Sequence, residues 1–212
     1  MKRYITIMAL LVGLLLAGGS IAHAGLASSP LGVSDEGWTL AGDASGDVIW
    51  QSQVGLPPGS ILGQDLANGD TWSFVAPEKF LGDSSAAYGG TLSYDILISA
   101  RDAEPWAWPF VKFQGEQFDL HWSGTWPTAG QWTHYQVQLT PEAGWTRSTG
   151  GTPSGEEMLA VLGNLQGLLI RGEFKSGYDE ASLDNIALVP EPATICLLGL
   201  GSLGLIRKRR RR

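Results

Sequence analysis

The stretch TLSYDILIS, residues 91–99, is the clearest indication of fold class in this sequence. Apolar side chains occupy every second position and polar ones stand between them: Leu92, Tyr94, Ile96 and Ile98 against Thr91, Ser93 and Asp95. Because successive side chains of an extended chain point to opposite faces, this alternation predicts a half-buried β-strand. We expect the apolar face, Tyr94 and Ile96 above all, to lie in a hydrophobic core.

Shorter segments of the same kind flank this strand on both sides. Residues 134–139 alternate in the same way, and breaks rich in glycine or proline return about every ten residues. The other predicted strands are 48–51, 71–75, 111–113, 118–122, 168–174 and 181–189. Many short strands at this spacing, without an internal repeat or linker, predict one all-β domain, a sandwich or a barrel.

A single helix is predicted within this β pattern. Ser154 and Glu157 are spaced as in a capping box, where each side chain accepts a hydrogen bond from the other residue's backbone N–H. Apolar residues then recur at helical spacing: Met158, Leu159, Val161, Leu162 and Leu165. We therefore expect one short helix near residues 155–165, with an apolar stripe against the sheets.

The last predicted strand has a break in its alternation. Leu183 belongs to one phase, whereas Ile186 and Leu188 belong to the other. One extra residue, accommodated in a β-bulge, shifts the phase of a strand in this way. The sequence predicts a bulge near Asp184–Asn185 that redirects one polar side chain.

Charge is unevenly distributed along the chain. The net charge is −7, but eight of the 14 basic residues lie in the two termini. Residues 25–189 hold six basic and 20 acidic residues, a formal charge of −14. That balance argues against nucleic acid or anionic lipid as a partner. The one cysteine, Cys196, lies outside this segment, so neither a disulfide nor a Cys/His zinc cluster is expected in it.

The first 24 residues have the three parts of a secretory signal peptide. Lys2-Arg3 forms a basic head, residues 5–17 form an apolar run expected to be helical, and Ala22-His23-Ala24 ends the segment. Signal peptidase requires small side chains at both alanine positions, which predicts cleavage between Ala24 and Gly25. The alternative, an N-terminal membrane anchor, is disfavoured because the apolar run is short for a span.

The C-terminal end has a different three-part order. Val189-Pro190-Glu191-Pro192 comes first, an apolar run over 193–206 follows, and residues 207–212 are all basic. A helix over 193–206 would span about 21 Å, short of a hydrocarbon core of about 30 Å. The run therefore favours transient inner-membrane tethering, with the basic end cytoplasmic, over a lasting tail anchor.

This order closely resembles the PEP-CTERM sorting signal of Gram-negative bacteria that have exopolysaccharide systems. The resemblance implies that an exosortase cuts near Pro-Glu-Pro. It also implies that the product goes to the cell surface or the extracellular matrix.

Several stretches of the region between the two end signals resemble the laminin B domain, also called laminin IV type A. They are GWTLAGD at 37–43, WSFVAPEKFLGD at 72–83 continuing through AAYGGTLSY at 86–94, LLIRGEF at 168–174, and LDNI at 183–186. The resemblance implies a jelly-roll-like β-sandwich of the galactose-binding kind, related to carbohydrate-binding modules. That family has no established catalytic residues, so none is carried over. We therefore divide the chain into a signal peptide at 1–24, a laminin-B-like domain at 25–189 and a sorting signal at 190–212.

All nine tryptophans fall in the domain. We expect five of them to pack in the core or against strands: Trp38, Trp50, Trp72, Trp132 and Trp145. Trp106 and Trp108 stand two residues apart between prolines, and would share one face of an extended segment. With Trp122 and Trp126 they form a candidate glycan platform, on which sugar rings could stack. The alternative is a hydrophobic plug at one end of the sandwich.

The acidic residues include candidate metal ligands but no catalytic arrangement. Asp43, Asp47 and Asp184 could hold a structural calcium ion if the first and last strands pair, or they could be solvated surface acids. No nucleophile–base arrangement or phosphate loop is present, so no catalytic residue is assigned and no enzymatic activity is expected. A glycosidase-type carboxylate pair stays as a third alternative.

These features predict a non-catalytic, exported protein of the cell surface or biofilm matrix, with signal peptidase and exosortase as processing partners. The alternative function is a specific carbohydrate-binding module of the exopolysaccharide matrix.

Overall fold

The computed structural model describes residues 26–44, 46–66, 69, 71–103 and 107–191. Those residues form 12 β-strands and one α-helix, with three short 3-10 turns between them. The strands are β1 (Ala27–Ser29), β2 (Thr39–Ala41), β3 (Ile49–Gln51), β4 (Ser60–Asp65), β5 (Ser73–Val75), β6 (Thr91–Ile98), β7 (Val111–Gln114), β8 (Leu120–Trp122), β9 (Thr133–Gln138), β10 (Thr146–Arg147), β11 (Gly167–Arg171) and β12 (Asp179–Val189). The helix is α1 (Gly155–Gly163), and the 3-10 turns are Glu78–Phe80, Ser85–Ala87 and Pro141–Ala143.

The strands form two antiparallel sheets of six strands each. The first sheet has the order β3-β4-β12-β6-β9, with β1 also paired to β12. The second has the order β10-β8-β7-β11-β5-β2. The predicted all-β sandwich with one helix is confirmed. The two terminal helices expected from the sequence lie outside the described residues, and no described helix is long and apolar enough to cross a membrane.

The strand predicted at 91–99 is β6, and its alternation is confirmed. Tyr94 and Ile96 are each only 1% exposed. The Tyr94 ring lies 5.2 Å from the ring of Tyr135 on β9. The second sheet contributes fully buried side chains to the same core, including Phe74, Phe113 and Ile170. Since β6 pairs with β12 on one edge and β9 on the other, it lies inside the first sheet.

The predicted bulge in the last strand is also confirmed. The pairing of β12 with β6 shifts register between Asp184 and Ala187. On its other edge, β12 pairs with β4 through residues 179–183 and with β1 through residues 186–188. Asn185 has a φ of 53°, in the left-handed region that asparagine tolerates better than most residues. The bulge therefore lies where the neighbour of β12 changes from β4 to β1.

The capping box at the start of α1 is present. The Ser154 hydroxyl accepts a hydrogen bond from Glu157 N at 3.2 Å, and the Glu157 carboxylate accepts one from Ser154 N at 2.7 Å. Met158, Val161 and Leu162 are buried, as predicted. Leu159 is 39% exposed, so its assignment to the buried stripe was wrong. Because each residue of an α-helix is rotated about 100° from the one before it, the position after buried Met158 faces solvent.

Four short strands were missed by the sequence prediction: β1, β2, β4 and β10. In β4 the missing signal has a physical cause. Gly63 stands where a side chain would meet the Trp72 indole, since a Cβ there would lie 2.5 Å from Trp72 Cζ3. Glycine within a strand often marks such a close approach and removes the apolar alternation that reveals a strand.

The tryptophans expected in the core divide into two groups. Trp38, Trp72 and Trp145 are at most 2% exposed, as predicted. Trp132 is half-buried. Trp50 on β3 is 37% exposed, although its indole N–H donates to the Leu31 carbonyl at 2.8 Å. β3 is an edge strand whose residues are all at least partly exposed, which accounts for the exposure of Trp50.

Candidate functional site

Two basic side chains line a hollow on the outer face of the second sheet. The hollow has a volume of 160 Å³, and none of the described residues that line it is acidic. Its lining residues are Ala41, Gly42, Thr71, Ser73, Trp108, Pro109, Lys112, Leu169 and Arg171. Lys112 alternates with buried Val111 and Phe113, which places it on the outer side of β7. We call this site the basic hollow, defined by Trp108, Lys112 and Arg171.

Arg171 holds the loop that carries Trp108 against β11. It is 1% exposed, and its Nη1 donates to the Trp108 carbonyl at 3.1 Å. The guanidinium carbon lies 4.7 Å from the centre of the Phe174 ring and 5.1 Å from that of Trp126, within the range of cation–π attraction. Burial lowers the pKa of Arg171 to about 10, which leaves it charged at neutral pH.

Lys112 forms the other cationic wall of the basic hollow. Its Nζ stands 5.5 Å from the centre of the Trp108 ring. On the neighbouring strands, Leu169 and His121 lie opposite Lys112. Burial, followed by the charge of Lys112, lowers the pKa of His121, so this imidazole is neutral at neutral pH. Arg171 is 1% exposed and its charge interacts with Glu173 and Asp179, so Lys112 is the charge that a ligand in the hollow meets.

The structure separates the members of the expected tryptophan platform. Trp108 also lines a second hollow, of 350 Å³, together with Trp126. Trp122 instead packs edge-on against Phe110 and Tyr135, at 6.3 and 6.0 Å between ring centres. Its indole N–H donates to the Ala143 carbonyl at 3.1 Å. Trp106 lies outside the described residues. Trp108 and Trp126 thus share a hollow, while Trp122 belongs to the aromatic packing beneath it.

An acidic cluster lies near one end of the first sheet. Carboxylate oxygens of Asp43, Asp65 and Glu173 lie within 4.8 Å of one another. Burial, reinforced by neighbouring aspartates including Asp179, raises the pKa of Glu173 to about 7. The Glu173 carboxylate also accepts a hydrogen bond from Trp72 N at 3.2 Å. Oxygen ligands of this type suit a hard cation such as calcium.

The three aspartates predicted as calcium ligands do not converge. Asp43 belongs to the acidic cluster, but Asp47 is an exposed residue ahead of β3. Asp184 lies five positions along β12 from Asp179, the residue that pairs with Asp65. At about 3.3 Å per residue, that is roughly 16 Å from the acidic cluster. The grouping of Asp184 with Asp43 is therefore corrected, and calcium binding itself stays an expectation of the sequence.

Asp184 has a structural task at the bulge. It is fully buried, and its carboxylate accepts hydrogen bonds from Leu56 N at 2.9 Å and Asn185 N at 2.7 Å. The Asn185 amide in turn donates to the Leu56 carbonyl at 2.7 Å and to Asp95 at 2.9 Å. The bulge thus redirects Asn185 to bind the Leu56 loop, as the phase shift in the sequence predicted for one polar side chain. Burial raises the pKa of Asp184, although both backbone hydrogen bonds oppose the shift.

The processing sites are only partly described. Ala22, Ala24, Gly25 and Pro192 lie outside the described residues. Val189 ends β12, and Pro190-Glu191 follows it directly. A Cβ on Gly90 would lie 2.0 Å from the Val189 carbonyl oxygen, so the start of the motif packs tightly against the turn before β6.

Residues 73–190 match the family described as Laminin B (Domain IV). This chain belongs to that family. Residues 188–212 match the PEP-CTERM protein-sorting motif. Both resemblances read from the sequence are confirmed.

Two basement membrane proteoglycans are similar to this chain in sequence. The chain is 29% identical over 118 residues, 55% of its length, to a basement membrane proteoglycan of Caenorhabditis elegans. It is 30% identical over 120 residues, 56% of its length, to the basement membrane-specific heparan sulfate proteoglycan core protein of Mus musculus. The chain spans only 3% of the length of each of these relatives.

A solved structure shares the fold. The L4b domain of human laminin alpha-2 overlays with a TM-score of 0.54 at 20% identity, covering 62% of this chain and 79% of that one. The laminin B sandwich is therefore the architecture of residues 73–190. Strands β1, β2 and β4 pair with strands of that segment, and β3 pairs with β4.

The laminin B segment 168–174 supplies residues to both sites. Arg171 borders the basic hollow, and Glu173, two positions later, belongs to the acidic cluster. Lys112, Arg171, Asp65 and Glu173 were all missed as site residues from the sequence. The sequence did contain a signal for two of them, because Arg171 and Glu173 stand inside the otherwise apolar run LLIRGEF. A charged side chain that is buried must be paired or have a function.

Proposed function

We propose that this laminin B protein is a non-catalytic component of the cell surface or extracellular matrix, delivered there by exosortase processing. The observation that carries the proposal is the PEP-CTERM motif at 188–212, which starts inside the last strand of the sandwich. The N-terminal signal directs export, and signal peptidase removes it between Ala24 and Gly25. Residues 193–206 tether the chain to the inner membrane until the exosortase acts.

The hydrogen bonds that the buried carboxylates accept from the backbone support a non-catalytic role. The carboxyl groups of Glu173, Asp179 and Asp184 all have raised pKa values, caused first by burial. Each of them accepts a hydrogen bond from a backbone N–H: Glu173 from Trp72, Asp179 from Phe174 and Asp184 from Leu56. Carboxylates used in this way hold segments of the chain together, as structural acids do.

Mass spectrometry of the protein purified from the surface fraction tests the proposal. The mature chain should start at Gly25 and should lack residues beyond about Pro192. A strain without its exosortase serves as the control, and its protein should keep Arg212. Recovery of Arg212 in matrix-located protein from the unmodified strain would overturn the sorting proposal.

A second candidate function, carbohydrate binding, is favoured by one specific observation. Trp108 is half-buried and lines two hollows, of 160 and 350 Å³. An indole ring held at such a position offers an apolar surface for the C–H face of a sugar ring. Residues 25–189 would then act as a module that holds exopolysaccharide at the cell surface.

A further inference from the structure

The basic hollow concentrates positive charge in a strongly acidic domain. Residues 25–189 have six basic side chains against 20 acidic ones. The ion pairs among the described residues join Lys79 to Glu36, His134 to Asp95, and Arg147 to Glu157. Lys112 belongs to none of these pairs, and the part of the hollow's lining that the structure describes includes Arg171 but no acid.

The two cations of the hollow have different freedom. Arg171 is fixed by the Trp108 carbonyl and by the aromatic rings on which it lies. Lys112 is half-exposed, and its ammonium group rests over the Trp108 ring. An ammonium group on a flexible stem can donate to an incoming anion without disturbing the fold. Lys112 is therefore the side chain that can move to donate a hydrogen bond to an anionic ligand.

The dimensions of the hollow limit the ligand. At 160 Å³ it is smaller than the roughly 300–1,000 Å³ typical of small-molecule pockets, which suits one unit of a polymer better than a whole oligosaccharide. The 350 Å³ hollow offers space for a neighbouring unit. Trp108 lines both spaces and supplies an apolar surface to them.

We infer that the basic hollow binds an acidic sugar unit, with its ring face on Trp108 and its anionic group at Lys112. This inference rests on the carbohydrate-binding function proposed above and names its ligand class. The acidic surface does not prevent it, because the screening length is about 8 Å at physiological ionic strength. The charge of Arg171 already interacts with Glu173 and Asp179, so Lys112 supplies the attraction for a bound anionic group. A densely charged nucleic acid, in contrast, would meet the whole acidic surface.

Calorimetric titration of the purified full-length chain tests the inference with matched ligands. The trisaccharides of galacturonic acid and of galactose differ only at C6 of each unit, which is a carboxylate in the first and a hydroxymethyl group in the second. A galactose 6-sulfate trisaccharide separates carboxylate from sulfate. The acidic sugars should bind roughly ten-fold or more tightly than the neutral one, as a charge-assisted hydrogen bond requires. Whichever acidic ligand binds more tightly identifies the anionic group.

Variants of matched charge locate the site. Lys112→Gln should reduce the affinity for the acidic sugar to that of galactose, and Trp108→Ala should weaken binding of both. Lys175→Gln removes the same charge away from the hollow, where Lys175 Nζ donates to the Tyr178 carbonyl, and should have no effect. A thermal melt of each variant verifies that it is folded.

The outcomes separate the inference from the function on which it rests. If galactose binds as tightly as the acidic sugars and only Trp108→Ala weakens it, carbohydrate binding stands and the acidic preference is overturned. If Lys112→Gln leaves the affinity for acidic sugar unchanged, the inference is overturned as well. If a triglutamate peptide binds as tightly as the acidic sugar, the hollow is a general anion site. If no saccharide binds, both proposals are wrong.

Discussion

Replacement of Gly172 by alanine should strongly destabilise the sandwich. A Cβ at this position would lie 2.0 Å from Cζ3 and 2.1 Å from Cη2 of the Trp72 indole, whereas carbon atoms pack at about 3.5–4 Å. The ring would have to retreat by roughly 1.5 Å. The ring is held in place, because Gly63 also lies close against it, its side chain is fully buried, and the indole N–H donates to Asp179 at 3.0 Å.

The expected cost follows from this close packing. Forced overpacking typically costs about 1–3 kcal/mol, and a clamped, fully buried ring places Gly172→Ala at the upper end of that range. At about 2–4 °C per kcal/mol for a domain of this size, the melting temperature should fall by roughly 6–12 °C. Differential scanning calorimetry or urea unfolding measures the loss.

Gly163→Ala is the matched control for this experiment. Gly163 ends α1, no heavy atom lies within 4 Å of where its Cβ would stand, and its φ is not positive. The same chemical change should therefore be neutral or stabilise by up to about 1 kcal/mol, since alanine is the better helix former. A Gly172→Ala protein that melts within a degree of the unmodified protein would show that the Trp72 ring does not lie against this glycine.

Two further measurements test the core and the acidic cluster. Ile96→Ala should cost about 2–5 kcal/mol in urea unfolding, because Ile96 is 1% exposed on a strand paired along both edges; a change within the error of the method would mean that the buried face is misassigned. Glu173 has a folded-state pKa of about 7, above its ordinary value of 4.5, so the folded protein holds a proton that the unfolded chain releases between these values. Stability should therefore fall as the pH rises from about 4.5 to about 7. In thermal melts recorded with a chelator, the melting temperature of Glu173→Gln should depend less steeply on pH over this range than that of the unmodified protein. An equal dependence on pH would assign the titration to other groups.

Local pattern was sufficient to predict the central strands and the helix. Each of these features depends on residues that are close together in the sequence: the alternation at 91–99, the capping box at Ser154 and the phase shift at Asp184–Asn185. The two end signals were equally readable, since their apolar runs and charged ends are contiguous along the chain. For these features, the spacing of residue types is itself the physical cause of the structure.

The sites depended on contacts between distant segments, which no local pattern encodes. Arg171 approaches Trp108 across 63 residues of chain, and Asp184 binds Leu56 across 128. The sequence suggested that Asp43 and Asp184 meet at paired terminal strands. The tertiary structure instead places Asp184 at the bulge, because β12 pairs with β4 through residues 179–183 and that register brings Asp65 opposite Asp179. Register is set by the whole buried face of a strand, so a polar residue's partner follows from the packing of its apolar neighbours.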